Sequence, residues 1–212
     1  MGKVWIGADP GGQEGFGVAI LRDSECLICK TVSSVHEAVK CIDSHCRERI
    51  EPNGVGIDAP LWWSSDKSGW RLVDKKLRKI QKIECKSVMA VNSLHGSVIA
   101  GGMLFAQLVQ EEYPNIKITE SHPKALLQAL DLNDETGDSF AKKFSVPRTP
   151  NTWKNEHERD AVIAAVCARE GFSSGEWEDL SRERGGLEQN PKSHWLKPVY
   201  YWWPSQSKDK TL

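Results

Sequence analysis

Hydrophobic and polar positions change period several times along this chain, and each change predicts an element. The stretch Val4–Leu21 is two apolar, β-rich runs separated by Asp9-Pro-Gly-Gly. Glycines that tolerate positive φ in such a gap predict a β-hairpin, with strands at about 3–9 and 15–21. A third strand is expected at 25–32. Ser34 then offers a helix N-cap, with Glu37 three residues on as in a capping box. The helix runs through Arg49, carrying Val35, Ala38, Val39, Ile42 and Cys46 on one face, before Pro52-Asn53-Gly54 breaks it. The rest of the pattern predicts a strand ending at Asp58, helices at about 66–82 and 94–112, a strand at 115–120 and a short helix from Pro123 to Leu130. A polar loop or lid is expected over 131–154, and a helix over 155–169 whose Ala161–Ala168 run reads as buried. Strands and helices in this order give an α/β fold with a mixed sheet over 1–172, followed by an extension, 173–212, expected to pack on it.

Four of these elements present a carboxylate at an end. Asp9, Asp58 and Glu120 each close an apolar run, and His157-Glu-Arg-Asp160 opens the last helix. In an open α/β sheet, ligands gather at the carboxyl ends of the strands. Acids converging there repel one another at low dielectric, and a divalent cation resolves the repulsion. Each position also has a plainer reading. Asp-Pro-Gly is a common turn, Asp160 sits where a helix dipole favours an acid, and Glu120 can be a ligand, an orienting group or a cap. His157 lies one turn before Asp160 on the same helix face, as a ligand, a proton shuttle or a solvated side chain.

Composition narrows the setting. The 212 residues carry a formal net charge of −1, so no global field draws the chain to nucleic acid. No signal peptide or uninterrupted apolar span of about 20 residues is visible, and the expected location is cytoplasmic. Of the six cysteines, Cys26 and Cys29 have zinc-knuckle spacing, and Cys41 and His45 follow at helical spacing. Residues three apart on a regular strand point to opposite faces, so free thiols without zinc are expected. Charge is concentrated locally: residues 66–86 hold eight cations and three acids, a net of +5. Arg71, Lys75, Arg78 and Lys79 are the candidate phosphate contacts, against the alternative of a solvated helix with an internal ion pair. Nine tryptophans include Trp62-Trp63 beside Asp58, and Trp195, Trp202 and Trp203 in the extension, where rings are expected to pack on the core.

Together these motifs resemble the ribonuclease-H-like superfamily, and among its members a predicted nuclease family catalogued as domain of unknown function 429. Asp9-Pro-Gly with Gly15-Phe-Gly-Val, and His157-x-x-Asp160, are also similar to the first and last motifs of RuvC-type junction resolvases. Ile57-Asp58-Ala-Pro60 with Arg71, Asp74 and Arg78, and Glu120-Ser-His-Pro123, single out the numbered family. The resemblance spans about residues 3–170. It implies a mixed five-stranded sheet of order 3-2-1-4-5 flanked by helices, with Asp9 on the central strand, Asp58 on its neighbour and Asp160 on the last helix. It further implies two Mg²⁺ or Mn²⁺ ions held by the trio Asp9, Asp58 and Asp160, to which the strand-end position of Glu120 adds a fourth candidate ligand, and hydrolysis of nucleic-acid phosphodiesters. The superfamily's helix-borne glutamate has only Glu37 and Glu48 as candidates. Two other classes fit parts of the pattern: an actin-like nucleotide-binding ATPase or kinase, and a non-catalytic nucleic-acid-binding protein of the same fold.

Overall fold

A computed structural model describes residues 2–11, 15–46, 51–65, 67–80, 83–132, 134, 136–147, 152–182, 193–195 and 199–205. The hairpin forms as expected, from β1 (Val4–Pro10) and β2 (Phe16–Arg22), and β3 (Glu25–Val32) follows antiparallel to β2. α1 (Val35–Cys46) begins at the predicted cap. Glu37 N–H donates to Ser34 Oγ at 3.2 Å, while the Glu37 carboxylate accepts from Ser33 rather than from Ser34. β4 (Gly54–Ile57) runs parallel to β1, and β6 (Lys117–Glu120) runs parallel to β4. Between them lie β5 (Trp62–Ser64), α2 (Leu72–Leu77) and α3 (Gly96–Glu112). After β6 come α4 (Pro123–Ala129), α5 (Asp138–Lys143) and α6 (Glu156–Ser173), and the chain ends with β7 (Trp177–Asp179), β8 (Ser193–Trp195) and β9 (Tyr200–Pro204).

The main sheet has seven strands in the order β3-β2-β1-β4-β6-β9-β7, not five. Its first five follow the expected order; the other two come from the extension. β9 adds parallel to β6, and β7 caps β9 antiparallel. Parallel addition beside β6 covers what would otherwise be an open edge. Trp203 is buried there, Trp202 packs over Gly171 of α6, and the β8 backbone pairs Trp195 with Trp62 in a second, two-stranded sheet.

Two further expectations change. The helix predicted over 66–82 is only the six residues of α2, since Gly69 needs positive φ and the basic stripe lacks an unbroken helical register. The expected loop over 131–154 contains α5, which buries Phe140 and Ala141, with Val146 and Trp153 buried beyond it.

α6 crosses the sheet unusually closely. A Cβ on Gly7 or Gly56 would collide with the backbone of Ala161 or Ala164, so glycine at these positions lets the helix rest directly on β1 and β4. That contact fixes where the first turn of α6 stands over the strand ends. Among the described residues, no helix is long and apolar enough to cross a membrane.

Candidate metal centre

Parity along the strands decides which acids meet. In parallel pairing, partners in register face the same side of the sheet. Ala8, Ile57 and Glu120 are such partners across β1, β4 and β6. Gly7 and Gly56 face α6, so Asp9 and Asp58, each two residues later, face α6 too; Asp58 N–H extends the β1 ladder by donating to Ala8 O at 2.8 Å. Asp160, in the first turns of α6, arrives from above. One carboxylate oxygen from each of Asp9, Asp58 and Asp160 lies within 4.8 Å of the others. Among the described residues, no other group of three or more His, Cys, Asp or Glu side chains converges so closely.

The three acids differ in their supports. His157 Nδ1 lies 2.7 Å from Asp9 Oδ2. An ionised carboxylate only accepts, so the proton of that bond belongs to Nδ1, and the hydrogen bond with Asp9 raises the pKa of His157 above the usual imidazole range. Arg159 Nε donates to Asp160 Oδ1 at 2.9 Å. Burial, only partly opposed by Arg159, pushes Asp160 up to about 6. The Asp58 carboxylate has no hydrogen-bond or ion-pair partner among the described residues, although the charge of Lys124 acts on it. Burial first, then the charges of Asp9 and Asp160, raise its pKa well above the carboxylate range. Oxygen donors that mutually repel, and that Arg159, His157 and Lys124 compensate only in part, suit a hard divalent ion. The triad can hold a metal ion.

The carboxylates lie at the floor of a cleft of about 310 Å³, where Asp9 and Asp160 are almost fully buried. Its lining also includes the polar residues Lys86, Lys124, Glu156 and His157 and the apolar Met89 and Leu94. Lys124 bonds Glu156 at 2.9 Å. Burial opposes its charge, but the bond to Glu156 and the acids of the cleft outweigh this and raise its pKa. Sequence reasoning passed over Lys124, although its place two residues into the His122-Pro-Lys start of α4, just beyond a strand end, was the available signal.

Glu120 requires a correction. Its side chain faces away from α6, where both carboxylate oxygens accept from Arg71 at 2.6 and 2.8 Å and Leu61 N–H adds a bond at 3.0 Å. Arg71 also holds Asp74 through Nε at 2.9 Å and Nη2 at 2.7 Å, and its guanidinium lies 4.3 Å from the centroid of Trp62. Burial alone would lower the Arg71 pKa, but the two carboxylates outweigh it and hold the guanidinium charged. Arg71, almost fully buried, is therefore a structural clasp and not a phosphate contact. Lys75 and Lys79 are exposed on and beyond α2, and Arg78 lies over the Trp70 ring; none of the three lines the cleft. Glu37 caps α1, and Glu48 lies outside the described residues.

The described cysteines are free thiols as expected, but Cys26 and Cys29 do not point to opposite faces. A bulge at Leu27, between the pairs Cys26–Leu21 and Ile28–Ile20, undoes the odd spacing and brings Cys26 and Cys29 within hydrogen-bonding reach. Cys26, Cys29, Cys41, Cys46 and Cys167 are free thiols.

Comparison of the chain with protein-family models, with curated proteins and with solved structures returns no match.

Proposed function

We propose that the protein is a metal-dependent nuclease, a hydrolase of phosphodiester bonds in nucleic acid that uses Mg²⁺ or Mn²⁺. The observation that carries this reading is the convergence of Asp9, Asp58 and Asp160 in one cleft, with the Asp58 carboxylate bonded to no cation and only partly compensated by the charge of Lys124. A purely structural acid would be paired, as Glu120 is. Asp9, Asp58 and Asp160 would hold the ion, whose chemistry when bound is to favour the hydroxide form of water and to stabilise charge on a leaving oxygen.

The chain's own residues supply the remainder. His157 Nδ1–H orients Asp9 and keeps an imidazolium accessible near neutral pH, as a proton donor at the edge of the cleft. Arg159 turns Asp160 by its Oδ1. Lys124 brings positive charge to a cleft otherwise dominated by acids, the charge an incoming phosphate requires. Buried strand ends and a helix resting on glycines hold these groups on rigid elements rather than on loops.

Incubation of the purified protein with single-stranded, duplex, hybrid and junction substrates tests the proposal. Cleavage is expected in Mg²⁺ or Mn²⁺, abolished by EDTA, and reduced by about three orders of magnitude or more in Asp9→Asn, which removes charge at nearly constant volume. Cleavage unchanged by EDTA or by Asp9→Asn contradicts it.

A further inference from the structure

The lining of the cleft has features that the three acids do not explain. Between α2 and α3 the chain is extended at Val88 and Ala90, whose φ/ψ values are −130°/112° and −63°/141°. Both side chains are buried, at 0% and 5% exposure, so alternation turns Met89 the other way, into the cleft, where it is 42% exposed. This segment is anchored rather than loose. Ser87 carbonyl bonds His122 Nε2, Glu84 N–H donates to Gln128 Oε1 at 3.0 Å, and Ile83 and Val91 are buried. A large apolar side chain held in water by a fixed backbone is a contact surface. Leu94 and Val98 continue it.

The cleft is also small and recessed. At about 310 Å³ it lies at the lower end of the range for small-molecule sites, roughly 300–1,000 Å³. Among the described residues its lysines are Lys86 and Lys124, and both already have carboxylate partners, Glu84 and Glu156, while His157 is bonded to Asp9. Neutralising a long run of phosphates needs many more basic side chains than this. A rigid duplex presents its phosphates on a convex surface, whereas an unpaired nucleotide can enter a recessed site without the cost of unstacking. A second hollow, of about 690 Å³, begins at the shared Pro10–Gly11 turn and continues past Phe16, Ser34 and Leu104. It offers a path for the strand on one side of the occupied position.

Building on the nuclease reading, we infer that the cleft admits one unpaired nucleotide of a single strand, its base against Met89, Leu94 and Val98 and its phosphate toward Lys124 and the three carboxylates. A free nucleotide shares this chemistry but leaves the second hollow empty. Apolar contact without base-edge hydrogen bonds gives little sequence preference.

Fluorescence anisotropy in Ca²⁺, which supports binding at carboxylate sites without requiring turnover, separates these cases. The probes are a labelled 12-nucleotide single strand, the same strand in a duplex, and a labelled mononucleotide. The single strand is expected to bind at least about tenfold more tightly than either of the others. Met89→Ser weakens it by about tenfold, the scale of one lost apolar contact, and Met89→Leu restores it. Duplex binding equal to single-strand binding overturns the inference, as does a mononucleotide that binds as tightly as the strand. Met89→Ser with wild-type affinity, or no binding of any probe, overturns it equally. Single-strand binding that follows this pattern without cleavage in Mg²⁺ or Mn²⁺ supports the inference while removing the nuclease reading, so the two fail separately.

Discussion

Two acidic clusters lie on opposite faces of one sheet, separated by a single strand position, and they are built in opposite ways. On the face away from α6, Glu120 and Asp74 enclose Arg71 so completely that every guanidinium nitrogen has an acceptor. On the α6 face, Asp9, Asp58 and Asp160 converge with one histidine and one arginine at the edges, and the Asp58 carboxylate has no direct bond, only the charge of Lys124 at longer range. Burial is similar for Glu120 and Asp160, at 1% exposure each, so desolvation does not distinguish the clusters. Compensation does. Acids held together at the cost of mutual repulsion mark a place where a cation is missing from the chain itself, whereas the paired cluster joins α2, β5 and β6 into one unit.

Breaking the paired cluster has the largest expected effect on stability. Arg71→Ala leaves two buried carboxylates without their cation and should cost about 3–5 kcal/mol in urea unfolding. Replacing all three residues together, Arg71→Met with Asp74→Leu and Glu120→Leu, should recover much of that loss, because no buried charge remains. A triple variant as unstable as Arg71→Ala would show that the clasp acts through its geometry and not its charge.

The unpaired cluster should respond in the opposite sense. Asp58 and Asp160 have raised pKa values in the folded state, Asp160 at about 6, so in metal-free protein the stability they contribute is present below about pH 4 and lost as pH rises through the folded values. Asp58→Asn removes one repelling charge. It should raise the melting temperature of metal-free protein by several degrees, roughly 1–2 kcal/mol, at pH 7.5 and much less at pH 4. Differential scanning calorimetry at both pH values checks this. A variant less stable than wild type at pH 7.5 would place Asp58 with the structural acids.

The smallest expected effect separates cations inside the cleft from those outside it. Lys75→Ala with Lys79→Ala should leave stability within about 0.5 kcal/mol and single-strand affinity within about twofold, since neither side chain lines the cleft. Lys124→Ala should weaken single-strand affinity several-fold and reduce its dependence on salt. Binding curves at two ionic strengths compare them, and the reverse ranking would return phosphate recognition to α2.

Much of this contrast was legible in the sequence, but not all of it. The hairpin, the central strands and the acids at their ends follow from apolar runs broken by Pro and Gly. Two of the three acids that converge were marked further: Gly7-Ala-Asp9 and Gly56-Ile-Asp58 place a glycine two residues before the acid, on the same face, where α6 rests. Ile118-Thr-Glu120 lacks that glycine, and its parity sends Glu120 to the other face. Counting strand-end acids without following parity therefore added a fourth ligand. Arg71 was misread because its sequence neighbours are solvated lysines, while its partner Glu120 lies 49 positions away. The two added strands escaped notice because Trp177–Asp179 and Tyr200–Pro204 are short and separated by a polar stretch, so their pairing depends on the edge of β6 rather than on their own pattern.

The central claim is that the unpaired cluster is a divalent-cation site, and Mn²⁺ titration followed by electron paramagnetic resonance of the free ion tests it most directly. Wild-type protein should take up Mn²⁺ in competition with Mg²⁺, more tightly at pH 7.5 than at pH 5 as the raised carboxyls ionise. Asp58→Asn should lose at least about tenfold in affinity while Glu120→Gln retains it. Equal Mn²⁺ uptake by wild type and Asp58→Asn, or loss of uptake in Glu120→Gln alone, would contradict the account.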